Sequence, residues 1–462
     1  MYLLWTLQLL LSGSICTVLC QFQLATSGGV SIPIFRVPRR PSLLALSGFV
    51  PLSDANEFAY LVDVIFGGQS FQLILDTGSS DLWVVSSNCD EQDCQGVPRY
   101  NDTSSLNLSD VPFDLKYVQG SVSGTVGTET VSVGSFEISS QVFALASNTS
   151  GLDLTGTGNS GILGLSFAVE AAIPDTSGRT FLENILAAFS EDNRFFAFNL
   201  GRGQSNSSFT IGQLDTTYVN STSNLKFHPV SSAGGEGYNY WKLSMQSLTI
   251  NSTEFALSDS RVTGASTPIS VLDTGTTLIL GPTDDVDRFW QSIGASRKTD
   301  AGWEVQCDRS VIVGFVLGDD SNRQEYIIDP ADLSWKEDGQ DDGWCMGGIQ
   351  ANDGVTSGDW LLGDTFLRNV YVTHHVATSS QPPTIGLFGL TDPVSALTLF
   401  QEARGNDTNG PVKVLSSTHQ SHGLGAGGIC GIAVAAGFVL GAVVTFLSCR
   451  IRPSYRRLRV TH

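Results

Sequence analysis

Two short motifs in this 462-residue chain have the residue types and spacing to do chemistry. Asp76-Thr77-Gly78-Ser79 follows the apolar run Leu73-Ile74-Leu75, and Asp273-Thr274-Gly275-Thr276 follows Ile269-Ser270-Val271-Leu272. Each is answered downstream by an apolar-apolar-Gly element, Ile162-Leu163-Gly164 and Leu361-Leu362-Gly363, at offsets of 88 and 90 residues from Asp to Gly. A single Asp-Thr-Gly is an ordinary turn, but two copies with the same partner at nearly the same distance are not explained by turn chemistry. An Asp at a strand end, followed by a Gly that permits close backbone approach, can be held rigidly by the next hydroxyl and by local N–H groups. Two such loops brought together place two carboxylates side by side, where like charges force them to share a proton. The ionised member can take a proton from water while the protonated member donates to a carbonyl, which is general acid–base hydrolysis of an amide with no covalent intermediate.

The elements that must position these loops read as strands. From about residue 59 the chain alternates apolar and polar residues, as in YLVDVIFGGQSFQLILD and VSGTVGTETVSVGSFEI, with Gly, Asn and Ser at the breaks. One stretch, residues 180–189, spaces its apolar residues for one face of a helix. Composition agrees: 49 Gly and 25 Phe with only 15% charged residues describe a folded, strand-rich chain. The net charge of −20 argues against a nucleic-acid partner, which requires clustered Lys and Arg.

The two ends read as a secretory signal (residues 1–20) and a single membrane helix (residues 429–449). The latter has 21 residues without a charge, enough to cross roughly 30 Å of hydrocarbon. Five Arg lie in the tail, residues 450–462, which places that end in the cytoplasm. A lipid-anchor signal would end in the apolar stretch instead. Residues 21–52 read as a leader or pro-segment with Arg36, Arg39 and Arg40 and no acid. Residues 53–224 and 225–392 read as two β lobes, and 393–428 as a glycosylated stalk. Seven Asn-x-Ser/Thr sequons, at Asn101, Asn107, Asn148, Asn206, Asn220, Asn251 and Asn406, all lie on the expected outer side. With the tail and leader Arg set aside, the outer part carries a net −28. That surface repels itself at neutral pH, so maximal stability is expected on the acid side.

Four Cys remain outside the two end segments, and four allow three pairings. Cys89–Cys94 with Cys307–Cys345 keeps each bond within one half of the chain. No His stands at ligand spacing from either pair, so no metal or other cofactor is expected. Gly156-Thr157-Gly158-Asn159-Ser160-Gly161 fits a dinucleotide pattern but lacks the strand before it and the helix after it. His374-His375 falls on an apparent strand. A glycosidase could use two carboxylates, but that chemistry does not call for a duplicated Asp-Thr-Gly.

Over roughly residues 59–390 the sequence resembles the pepsin-like aspartic endopeptidases, and the signal, sequons and stalk resemble membrane-anchored fungal surface proteases. The resemblance implies an all-β, bilobal fold with the cleft between two pseudo-symmetric lobes, polypeptide substrates and a monomer. It implies Asp76 and Asp273 as the catalytic pair. Thr77 and Thr274 would cross-link the loops, and Gly78, Ser79, Gly275 and Thr276 would support the site. Tyr117 matches the flap residue that closes over substrate, Trp83 the family Trp, and Gly120 lies in the same flap. Both cysteine pairs match family positions. Val118 stands where the flap usually has Gly, and its β-branched side chain stiffens the tip. Where related zymogens place a Lys on the catalytic pair, the leader offers only Arg. The remaining alternatives are a non-catalytic pepsin-like surface binding or inhibitor protein and an adhesion protein.

Overall fold

The computed structural model describes residues 29–38, 58–203, 206–235, 237–336 and 342–415. The signal, the membrane span and the basic tail lie outside them.

Period-two patterning becomes strands throughout. In Gln69–Asp76, Phe71, Leu73 and Leu75 point into the core while Ser70 and Gln72 face solvent. The first lobe wraps Leu82–Val85, Asn107–Lys116, Ser121–Val133, Phe136–Ser150 and Gly161–Gly164 around a ring cluster of Phe66, Phe71, Tyr100 and Phe143. The second lobe builds on Lys242–Ile250, Ile269–Leu272, Val313–Leu317 and Trp360–Leu362. A four-stranded sheet beside it holds Ser296–Thr299, Gly302–Gln306, Trp344–Gly347 and Ser334–Trp335.

The lobes share a six-stranded antiparallel sheet in the order Lys226–Pro229, Thr384–Gly389, Val370–His375, Phe195–Asn199, Ser208–Ile211, Val30–Pro38. Phe195–Asn199 from the first half therefore pairs with Val370–His375 from the second half. Val30–Pro38, inside the expected leader, is a full member: it pairs with Ser208–Ile211 and with Phe58–Phe66, and buries Ile32 and Ile34. Arg36 on this strand faces Tyr60, Asp332 and Asp364 and donates to the carbonyl of Arg202. It does not line the cleft between the lobes.

Thr180 caps the expected helix, Phe181–Ala187, with Glu183 completing a capping box. Two longer helices were not anticipated by the strand-dominated reading. Thr283–Ile293 buries Val286, Phe289, Trp290 and Ile293. Pro393–Arg404 starts at an Asp392 cap and buries Ala396 and Phe400. The second of these corrects the stalk. Its first part, residues 393–415, lies on the second lobe. Buried Arg309 donates to Asp407 at 3.0 Å and to the carbonyl of Gly410 at 2.8 Å, and Val412 and Val414 pack on the core. The apolar anchors are sparse among Gly, Asn, Ser and Thr, so composition alone hides the docking. Residues 416–428 lie outside the described part.

Both expected disulfides are formed, Cys89–Cys94 and Cys307–Cys345, closing separations of 5 and 38 residues. On loop entropy they contribute about 2 and about 4 kcal/mol. The asparagines of all seven sequons are exposed. The Gly156–Gly161 pattern runs from a short helix, Leu154–Thr157, into a strand, Gly161–Gly164, the reverse of a dinucleotide-binding unit.

Candidate active site

The internal duplication of the sequence is a duplication in space. Gln69–Asp76 runs parallel to Gly161–Gly164, with Asp76 opposite Gly164. Ile269–Leu272 runs parallel to Trp360–Leu362, and the N–H of Asp273 donates to the carbonyl of Leu362 at 3.1 Å. Each apolar-apolar-Gly element is thus the neighbouring strand that fixes where its Asp emerges.

The two loops are locked to each other by four buried hydrogen bonds. Thr77 N donates to Thr274 Oγ1 at 3.1 Å, and Thr274 N to Thr77 Oγ1 at 3.0 Å. Thr77 Oγ1 donates to the carbonyl of Leu272 at 2.8 Å, and Thr274 Oγ1 to that of Leu75 at 2.7 Å. The pattern is symmetric, and each hydroxyl both donates and accepts, which only Ser or Thr can do in so small a space. A Thr274→Val variant keeps the shape but strands the Leu75 carbonyl and the Thr77 N–H in a buried setting. At about 1–3 kcal/mol per stranded group, unfolding in urea is expected at a lower midpoint, with a loss of about 2–4 kcal/mol. An unchanged midpoint would show that the loops are held by other contacts.

The carboxylates are dressed symmetrically as well. Asp76 accepts from Gly78 N at 2.8 Å and from Ser79 Oγ; Asp273 accepts from Gly275 N at 2.9 Å and from Thr276 Oγ1 at 2.6 Å. The glycines are required by proximity: a Cβ on Gly78 would strike the Asp273 carboxylate, and one on Gly275 would strike that of Asp76. Burial, and then the charge of Asp273, push the Asp76 carboxyl up to about 8, against the opposing pull of Ser79 and the Gly78 N–H. Two buried carboxyl groups in contact hold a proton between them, so the pair has an acid and a base at once.

The pair opens into a cleft of about 730 Å³ between the lobes. Gly78, Ser79, Gly275 and Thr276 line it, as do Tyr117 and Val118 of the hairpin Asn107–Lys116 and Ser121–Val133. Val118 is 59% exposed at the tip of this flap. Two of the residues expected to bind substrate are not at the cleft surface. Trp83 is fully buried and donates to the Tyr117 hydroxyl at 2.8 Å, so it positions the flap tyrosine. Gly120 closes the flap turn at φ +80°, where a Cβ would meet the Ser150 carbonyl. The reading of motifs missed Glu170, Tyr240, Leu152, Asn352 and Thr356, which also line the cleft. They come from loops with no local signature.

His374 is buried against Phe196 and Trp241, and His375 stacks on Phe195 with its ring nitrogen 3.1 Å from the Thr373 hydroxyl, which is the ordinary strand environment expected of them.

A two-lobed β structure with a symmetric, cross-linked carboxylate pair beneath a hairpin flap is the architecture of an aspartyl protease. The chain belongs to the eukaryotic aspartyl protease family, whose profile matches residues 59–381. It is 31% identical to the embryonic pepsinogen of Gallus gallus over 328 residues, 70% of this chain and 79% of that one. It is 30% identical to pepsin A of Sus scrofa over 342 residues, 72% of this chain and 82% of that one. It is also 27% identical to major aspartyl peptidase 1 of Cryptococcus neoformans over 356 residues, 72% of this chain and 70% of that one.

Proposed function

We propose that the chain is an endopeptidase that cleaves proteins at acidic pH, with Asp76 and Asp273 as its catalytic pair. The observation that carries this reading is the symmetric dressing of two touching, buried carboxylates at the floor of a cleft large enough for an extended peptide. The ionised member takes a proton from a water held between the two carboxyls as the water oxygen attacks the peptide carbonyl carbon. The protonated member donates to the carbonyl oxygen, giving a tetrahedral diol. The carboxyl that took the water's proton then gives it to the amide nitrogen as the C–N bond breaks, while the other carboxylate takes a proton from a diol hydroxyl, so a carboxylic acid and an amine leave and the pair again holds one shared proton. No covalent enzyme intermediate forms. Tyr117, held by Trp83, closes over the bound chain and excludes water.

The enzyme is made as a zymogen with a cleaved leader, is glycosylated at the seven exposed sequons, and is held as a monomer by one C-terminal helix. Its bulk faces the outside or the lumen of an acidic compartment. The exposure of all seven asparagines supports this orientation. The test is hydrolysis of an acid-denatured protein at about pH 4, where the pair keeps its proton, with and without a statine-type inhibitor. Expected is cleavage that the inhibitor blocks. No cleavage after leader removal, or cleavage indifferent to the inhibitor, would favour a non-catalytic binding protein instead.

A further inference from the structure

We propose that Glu170 makes one subsite of the cleft selective for a cationic side chain, Lys or Arg, of the polypeptide substrate. The inference rests on the endopeptidase reading and adds the substrate class.

Apart from the catalytic pair, Glu170 is the one carboxylate among the described residues lining the cleft, and Lys116, on the flap hairpin, is the one cation among them. It ends a single tight turn, Ala168–Glu170, at the junction of the lobes. That turn is fixed on every side. Asp81, fully buried, accepts from the N–H groups of Ala172 at 2.8 Å and Ile173 at 3.0 Å. Ser80 Oγ donates to the Phe167 carbonyl at 2.7 Å. From the second lobe, Trp241 Nε1 donates to the Leu165 carbonyl at 2.9 Å, and the Phe167 ring lies 4.5 Å from that of Trp241. Glu170 is therefore placed before substrate arrives, and little conformational freedom is lost when it binds.

Its own bonding is incomplete. One oxygen accepts from the Tyr240 hydroxyl at 3.0 Å, and Glu170 has no ion pair among the described residues. Lys242, the cation that feels its charge, is turned to the Ala233 carbonyl at 2.9 Å. Burial and then the Glu170 charge hold the Tyr240 phenol protonated, so it stays a neutral donor and carries no charge to offset the carboxylate. The same tyrosine feels the charges of Asp273 and Asp76, which puts this corner within reach of the reacting atoms. A half-buried carboxylate with a neutral partner on one oxygen and open cleft on the other is matched by an ammonium or guanidinium. The outer chain's net −28 draws such substrates in.

The full chain is assayed at about pH 5 on a mixture of peptides of defined sequence. Expected is enrichment of Lys and Arg at one fixed position beside the cut. For a Lys peptide and its norleucine counterpart, the ratio of kcat/KM is expected to fall about three- to fivefold in Glu170→Gln, as for a partly exposed ion pair. Gln keeps an acceptor for Tyr240. Glu170→Lys is expected to turn the preference at that position toward Asp and Glu. Cleavage without basic enrichment, or an unchanged ratio in Glu170→Gln, overturns the subsite alone. Absence of any cleavage overturns the endopeptidase reading and the subsite with it.

Discussion

An Asp76→Asn variant is expected to lose acid proteolysis by roughly 10³–10⁴-fold and yet to melt at a higher temperature than the wild type at neutral pH. Both effects come from one cause. The buried Asp76 carboxyl is pushed from 3.8 up to about 8, first by burial and then by Asp273. In the unfolded chain the same group ionises near its ordinary value. The folded state thus binds this proton more tightly than the unfolded one. The stability linked to it is fully present below about pH 3.8 and is lost as the pH rises toward about 8. Asn carries no charge to bury and no proton to lose, so at pH 7.5 the variant escapes a cost on the order of 2–4 kcal/mol. At pH 4, where the pair already holds its proton, the two proteins should melt close together. Asp364, fully buried and also held well above the carboxylate range by burial, adds to the neutral-pH cost in both, so it cancels in the comparison. The readouts are hydrolysis of an acid-denatured protein and melting curves at the two pH values. Activity surviving in Asp76→Asn, or in the matching Asp273→Asn, would remove these residues from the chemistry. A variant less stable than wild type at pH 7.5 would show that the carboxylate's hydrogen bonds to Ser79 and Gly78 outweigh its desolvation.

The catalytic pair was legible in the sequence because duplication repeats an entire device. Each Asp needs a strand to carry it, a Gly to let the other loop approach, and a neighbouring strand to fix its exit. All three leave residues at matched offsets, ending at Gly164 and Gly363. The Thr77–Thr274 lock could be carried over from the family resemblance because the residues that make it sit inside the motifs themselves. What the sequence did not show depends on contacts between distant segments. Glu170 and Tyr240 meet from different lobes across 70 residues, and no local pattern marks either. Trp83 and Gly120 matched the motifs but serve the flap from behind, a difference decided by the burial of Trp83 and the backbone of Gly120. The docking of residues 405–415 rests on Arg309, about a hundred residues earlier. Thr283–Ile293 is a different case. Its apolar residues at 286, 289, 290 and 293 have helical spacing, but the Asp and Arg between them weaken the run, and the surrounding strand pattern drew the reading away from it.

The shared sheet sets a limit in the opposite direction from the catalytic pair. His374 lies on Val370–His375, fully buried, stacked on Phe196 at 4.6 Å and edge-on to Trp241 at 4.8 Å, with no partner for either ring nitrogen among the described residues. Burial, with a further push from His375, lowers its pKa from 6.5 to about 3; burial alone lowers His375 to about 4. His228, on the edge strand Lys226–Pro229, is likewise lowered to about 4 by burial and then by Lys226. Each is neutral when folded and charged when unfolded between those values and 6.5. Their contribution is therefore intact above about pH 6.5 and is lost as the pH falls toward 4 and 3. This opposes the relief that protonation gives the acid-rich surface, so the expected stability maximum on the acid side has a floor. Removing the largest of the three isolates the effect. A His374→Phe variant keeps an aromatic ring among aromatic neighbours, and any cost of its extra volume is the same at every pH. Its stability relative to wild type should rise as the pH falls from 7 to 4, by about 3 kcal/mol for a group shifted from 6.5 to about 3. Paired urea unfolding curves at the two pH values measure that difference directly. A difference that stays constant from pH 7 to pH 4 would mean that His374 takes up its proton without unfolding the sheet, and that the acid limit lies in other groups.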